Sequence, residues 1–244
     1  MTSPIPAAAV EVGGLGRDLA AAALAMARRF EAGATMWCVS PTWSHHARHV
    51  AVEFVHPVIV GKRALPALIG PSDDPVTALR VCTRPGDLVV AIAAADESHV
   101  VDLMRRAHAW GVATVWVGAG PRPPAGAADH VLWLQDDADT VAYDGRFILL
   151  YHLLWELTHV CFEHRGLLTD PGSVCEGEVC VTCSDQGQIA EVIRAQDDEA
   201  LVRTPDGQQH IDASLVAPVA VDDLVLVHAG MAISRLAAVP ETAS

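Results

Sequence analysis

Four short apolar runs, Thr35–Val39, Leu88–Ala94, Ala113–Val117 and Val131–Leu134, alternate with segments of helical spacing in the first two thirds of the chain. A strand with apolar side chains at every position has no face to give to water, so it must be covered on both sides. The intervening helices supply the cover: the spacing predicts helices over Asp18–Phe30, with Arg28 and Arg29 in its last turn, over Ser44–Val55, over Ser98–Trp110, ended by Gly111, and over Phe147–Glu163. The expectation is an α/β domain built on a parallel sheet with helices on both faces.

Beyond this the period changes. Gln188–Arg194, Ala200–Arg203, Gln208–Ile211 and Leu224–His228 are short β-rich runs parted by Gln196-Asp197-Asp198, Pro205-Asp206-Gly207 and Asp222-Asp223. So many turns in about seventy residues predict a small OB-like or SH3-like barrel, a closed sheet that leaves no exposed edge. Between the two patterns, Thr169-Asp170-Pro171-Gly172-Ser173 gathers turn formers that cannot continue the preceding helix. Charge marks the same division: residues 1–170 carry 13 Lys/Arg and 18 Asp/Glu, net −5, against 3 and 12, net −9, for residues 171–244. The expected domains are therefore 1–170 and 171–244.

A formal charge of −14 repels phosphate backbones and excludes nucleic-acid binding as the main task. No apolar run reaches the roughly 18 residues of a membrane span, and Met1–Val10 has neither the basic region nor the apolar stretch of a signal peptide. A cytoplasmic protein with its cysteines as thiols is expected. Cys38, Cys82 and Cys161, isolated among apolar neighbours, read as small buried hydrophobes. Cys175, Cys180 and Cys183 do not: three thiols within nine residues, among Gly, Glu and Ser, sit in a loop-like context that burial does not explain.

Residues from about 16 to 165 resemble the sugar-isomerase (SIS) domain, and within it the phosphoheptose isomerases. The resemblance rests on Ser44-His45-His46-Ala47-Arg48-His49-Val50-Ala51-Val52-Glu53-Phe54, similar to the family's loop and following helix with its His-x-x-x-Glu. It rests also on Pro85–Ile92 with Glu97-Ser98-His99-Val100, and on Tyr151-His152-Leu153-Leu154-Trp155-Glu156-Leu157, similar to a terminal helix that carries a metal-binding His. It implies ligand loops at Ser44 and Ser98 and a divalent metal, zinc, at His49, Glu53 and His152, with Asp144 in the fourth position. Read from the residues, His49 and Glu53 lie four apart on one helix face, either as half of a metal site or as a hydrogen-bonded pair beside a packed His152. The loops depart from the family. Ser40-Pro41-Thr42-Trp43-Ser44 loses a backbone donor at Pro41, and Ala93-Ala94-Ala95-Asp96-Glu97 offers carboxylates where a phosphate would sit.

Residues 180–236 resemble the HypC/HupF family of nickel–iron hydrogenase maturation chaperones. Gly187-Gln188-Ile189-Ala190-Glu191-Val192 is similar to the family's first strand, and Asp223-Leu224-Val225-Leu226-Val227-His228-Ala229-Gly230-Met231-Ala232-Ile233-Ser234-Arg235-Leu236 to its closing strand and helical tail. The resemblance implies a cysteine, Cys180 with Cys183 as helper or rival, that carries iron as a cyanide–carbonyl complex; His228, in the last strand, is either a packed residue or a further ligand or contact. It implies as partners a hydrogenase large-subunit precursor and a HypD-like scaffold. Here the cysteine is internal, in Val179-Cys180-Val181-Thr182-Cys183, whereas the family's follows the initiator Met. A Cys-x-x-Cys pair can equally hold zinc or close a reversible disulfide.

Two functions follow from these resemblances. One is a hydrogenase maturation chaperone or iron carrier whose SIS domain serves as a platform for homo-oligomers or as a regulatory unit. The other is a metal-dependent phosphosugar isomerase. The charge of the small domain adds that its partner should present a basic surface, with association slowed by salt.

Overall fold

The computed structural model describes residues 7–168 and 187–237. The break expected at Thr169–Ser173 and the thiols Cys175, Cys180 and Cys183 lie outside them. The first part runs α1 (Ala7–Glu31), β1 (Met36–Val39), α2 (Ser44–Val55), β2 (Ala67–Ile69), α3 (Pro75–Cys82), β3 (Leu88–Ile92), α4 (Ser98–Ala107), β4 (Ala113–Ala119), β5 (His130–Leu134), α5 (Ala138–Tyr143) and α6 (Arg146–Glu163). Its five strands form an all-parallel sheet in the order β2-β1-β3-β4-β5.

Strand alternation divides the core between the two faces of the sheet. Met36, Cys38, Leu88, Val90, Ile92, Val115 and Val117 pack with α1, α2 and α6 through Met26, Phe30, Phe54, Phe147 and Leu154. Val39, Val89, Ala91 and Trp116 pack on the other face with Leu79 of α3 and Leu103 and Met104 of α4. Each strand but β2, at the edge, thus buries both odd and even residues, which is why the runs carry no polar alternation. At Gly118 the sheet closes tightly: a Cβ there would overlap the Trp133 ring and the Ala93 carbonyl oxygen. The helix expected over Ser98–Trp110 tightens into a 3-10 turn at His108–Trp110 and stops at Gly111, whose φ of 71° is left-handed.

The second part is a closed barrel, β10-β8-β7-β6-β9. Its strands are β6 (Gln188–Gln196), β7 (Glu199–Thr204), β8 (Gly207–Asp212), β9 (Leu224–His228) and β10 (Met231–Arg235). Ala190, Val192, Ala200, Val202, Ile211, Val225, Val227 and Ala232 fill it. The helical tail implied for the end of this segment is instead strand β10. Ala229 and Gly230 both take positive φ, 49° and 79°, as a two-residue hairpin turn of the primed kind requires, and the chain folds straight back onto β9. Two further differences concern β2 with α3, which the sequence reading left unassigned, and Cys82, which lies exposed at the end of α3 while Cys38 and Cys161 are buried. Burial pushes the thiol pKa of both buried cysteines up, which keeps them inert.

The barrel seats on the α3/α4 side of the sheet. Ile189, Leu224 and Leu236 join the core of that face, and Pro205 in the β7–β8 turn meets Gly111. Glu191, flanked in β6 by the inward-facing Ala190 and Val192, points the other way, into the α/β domain.

Candidate functional site

The His-x-x-x-Glu of α2 and the His of α6 meet where these two helices pack. The buried stripe His46, Ala47, Val50, Ala51 and Phe54 forms one face of α2, and Leu150, Tyr151, Leu154 and Trp155 bury the matching face of α6. That packing holds His49, Glu53 and His152 at the half-exposed margin. His49 Nε2 lies 3.2 Å from Glu53 Oε1 and 3.4 Å from His152 Nε2, and His152 Nε2 lies 3.5 Å from the same Glu53 oxygen. The three ligand atoms all lie within 4.8 Å of one another. Two imidazole nitrogens and a carboxylate suit a borderline divalent cation such as zinc, and three protein ligands leave an open coordination position. Asp144 does not join them. It follows α5, and its carboxylate is bound by Arg146, with Nε at 2.8 Å and Nη2 at 2.7 Å, so it is already neutralised.

Behind the trio lies a buried hydrogen-bonded row. Tyr151 Oη is 2.8 Å from His49 Nδ1 and 3.5 Å from His46 Nδ1, and His46 Nε2 is 2.9 Å from the Ala142 carbonyl oxygen. Tyr151 and His46 are each 1 % exposed. Burial holds the His46 imidazole below its usual pKa, helped by the charges of His45 and His49 and opposed by its bond to Ala142. Burial, with the Glu53 charge, raises that of the Tyr151 phenol. Sequence reasoning left His46 among packing and surface histidines and gave Tyr151 no role. Its only sequence signal was spacing: His46 precedes His49 by three, which places both on one side of α2.

The second feature is a cleft of about 570 Å³ at the carboxyl ends of β1, β3 and β4, at the point where the chain leaves β1 outward to β2 and returns to β3 on the other side. Open α/β sheets bind ligands at such switch points. This one is lined by Thr42, Trp43, Ser98, Asp96, Glu97, Asp137 and Asp139, and no Lys or Arg is among its lining residues. Thr42 Oγ1 donates to Glu97 Oε2 at 2.6 Å. Of the two expected loop serines, Ser98 lines the cleft at the start of α4, whereas Ser44, the first residue of α2, does not. Trp43 is buried against Phe147.

The third is the junction of the two domains. Glu191 Oε1 accepts from Arg80 Nη2 at 2.9 Å and Arg106 Nη1 at 2.8 Å, and Oε2 accepts from Trp110 Nε1 at 3.0 Å. Arg80 also pairs with Asp222, and Arg106 with Asp102. Burial works against the Arg106 charge, but its bonds to Asp102 and Glu191 outweigh that and raise its pKa. No local sequence pattern signals this network. His228, the histidine grouped with Cys180 and Cys183 as a candidate, ends β9 and flanks the turn to β10, opposite Met231.

Residues 187–241 match the HupF/HypC family. Among solved structures, the chain is similar to a phosphoheptose isomerase from Francisella tularensis, with a TM-score of 0.50 and 17% identity over 59% of this chain and 86% of that one. It is also similar to a phosphoheptose isomerase from Neisseria gonorrhoeae, with a TM-score of 0.46 and 16% identity over 58% of this chain and 84% of that one. No protein of curated function gives a match. At such identity the likeness to the Francisella protein speaks for the fold of the α/β part.

Proposed function

We propose that this chain, in which an SIS-type α/β domain is joined to a HupF/HypC-family barrel, acts as a maturation chaperone for nickel–iron hydrogenase. The match over residues 187–241, which takes in every strand of the closed barrel, carries this reading. Cys180 and Cys183 precede β6 by a few residues and supply soft thiolates of the kind that bind iron. In this proposal they carry the iron–cyanide–carbonyl unit as cargo. The barrel meets the large-subunit precursor and a HypD-like scaffold, and His228 lies on the same barrel.

The α/β domain is the platform. Around the His49–Glu53–His152 trio, Val52 of α2 and Leu149 and Leu153 of α6 remain exposed, an apolar margin that suits self-association. The trio itself favours a second, narrower reading: a zinc-type cation held by the SIS domain. A phosphosugar isomerase fits less well, because the switch-point cleft faces its ligand with carboxylates.

The test is anaerobic purification of the wild type beside a Cys180→Ala/Cys183→Ala variant, with metal analysis, infrared spectra and a pull-down of the precursor. Iron with cyanide and carbonyl bands, lost in the variant, is the expected result. A variant that keeps both iron and precursor overturns the carrier role.

A further inference from the structure

We propose that the Tyr151 hydroxyl, with His46 as its alternative acceptor, sets the imidazole tautomer of His49 and thereby prepares the His49–Glu53–His152 trio for a divalent cation. The inference rests on the reading of that trio as a cation site.

The argument starts at the buried end of the row. A carbonyl oxygen can only accept, so at 2.9 Å from Ala142 O the His46 Nε2 carries the hydrogen. Neutral His46 then turns the lone pair of Nδ1 toward Tyr151 Oη, 3.5 Å away. The same phenol lies 2.8 Å from His49 Nδ1. One phenolic hydrogen therefore has two imidazole acceptors, and only two arrangements use it well.

In the first, Tyr151 donates to His49 Nδ1. The hydrogen of His49 then sits on Nε2 and is given to Glu53 Oε1 at 3.2 Å. This closes the network without a cation and matches the short Tyr151–His49 and long Tyr151–His46 distances. In the second, the phenolic hydrogen rotates to His46 Nδ1, and Tyr151 accepts from His49 Nδ1–H. The His49 Nε2 lone pair is then free beside His152 Nε2 at 3.4 Å and the Glu53 carboxylate. Three electron-pair donors facing one point repel one another unless a cation joins them.

Passing from the first arrangement to the second moves the His49 hydrogen from Nε2 to Nδ1 by exchange with water, and no net proton is gained or lost. His46 makes this possible: without it the phenol has no other acceptor and keeps donating to His49. Tyr151 and His46 are thus positioning residues, acting through His49.

The test uses the full chain stripped of metal and titrated with zinc against a competing chelator, for the wild type, Tyr151→Phe, His46→Leu and the ligand variant His152→Ala. Long-range proton–nitrogen NMR of the imidazoles reads the His49 tautomer with and without zinc. Loss of binding in His152→Ala is expected, with affinity lowered roughly 10–100-fold in Tyr151→Phe, the usual effect of removing a partner that orients a ligating His. His46→Leu should weaken binding in the same direction, and wild-type His49 should change from the Nε2–H to the Nδ1–H form as zinc is added. Zinc binding by Tyr151→Phe within about twofold of the wild type, on the scale of that same effect, would overturn the proposal and leave the cation site standing. An unchanged His49 tautomer in the wild type overturns it even if a variant fails to fold. A wild type that does not bind zinc removes both the cation site and this inference.

Discussion

Glu191 of the barrel and Trp110 of the α/β domain meet through a buried hydrogen bond, with the indole Nε1 donating to the carboxylate at 3.0 Å while Arg80 and Arg106 hold its other oxygen. The Glu191 side chain is 3 % exposed. One residue in the first barrel strand thus gathers three from the other domain.

Removing that carboxylate leaves two arginines without their buried partner, and breaking such a pair costs about 3–5 kcal/mol. Asp222 and Asp102 retain part of the arginine charge, so Glu191→Ala should lie near the lower end, about 3 kcal/mol. Denaturant unfolding should divide into two transitions, one for each domain. Glu191→Gln, which keeps an acceptor for Trp110, should lose less. A single unchanged transition in Glu191→Ala would contradict this role.

Gly118 offers a test of the sheet. Its missing side chain admits Trp133 and the Ala93 carbonyl, and Trp133 is anchored by donating Nε1 to Gly120 O at 2.8 Å. Because one obstacle is backbone, Gly118→Ala cannot be relieved by a rotamer change. Overpacking of this kind costs about 1–3 kcal/mol, seen as a lowered thermal midpoint. A midpoint equal to that of the wild type would mean that the strands can part.

Stability should fall with acid near the histidine range. His46 and His130 are both held below the ordinary value of 6.5, chiefly by burial. A depressed folded-state pKa means that the unfolded chain binds protons first, so stability is complete above about 6.5 and is lost as pH drops toward the folded values. Urea midpoints measured at pH 7.5 and 5.5 should show this loss, on the scale of the shift between the two states. His46→Leu should reduce the difference between the two midpoints. An unaltered difference would remove His46 from the account.

The exposed face around the trio predicts association. Leu149 and Leu153 lie one turn apart on α6, and Val52, next to Glu53 on α2, is exposed as they are. Light scattering after gel filtration should find an oligomer for the wild type, and Leu149→Asp with Leu153→Asp should yield monomers, since a charge cannot be buried unpaired in a contact. A monomeric wild type would discard the platform role.

The sheet was legible in the sequence because strands buried on both faces announce themselves as unbroken apolar runs, as Leu88–Ile92 does. Ala67–Ile69 did not, because β2 is a three-residue edge strand with Leu68 and Ile69 half exposed. His49, Glu53 and His152 could be paired because helix spacing fixes which side chains share a face. Asp144 could not be judged in the same way: whether it joins them depends on Arg146, two residues on, whose grip on it is a matter of loop geometry. His46, Tyr151 and Glu191 act through partners between 81 and 111 residues away, and no local pattern encodes such meetings. The turn at Ala229-Gly230 was readable in principle, but the family likeness suggested a helix there.

The closure of the barrel governs how it can be recognised. The seams β10–β9, β9–β6, β6–β7 and β7–β8 are each paired over several residues, whereas β10 and β8 meet through the single pair Met231 and Asp212. Recognition by strand addition is therefore closed off at those four seams. A protein that docks across them has to read side chains and loops, so its specificity resides in surface residues that can be exchanged one at a time without disturbing the strands beneath.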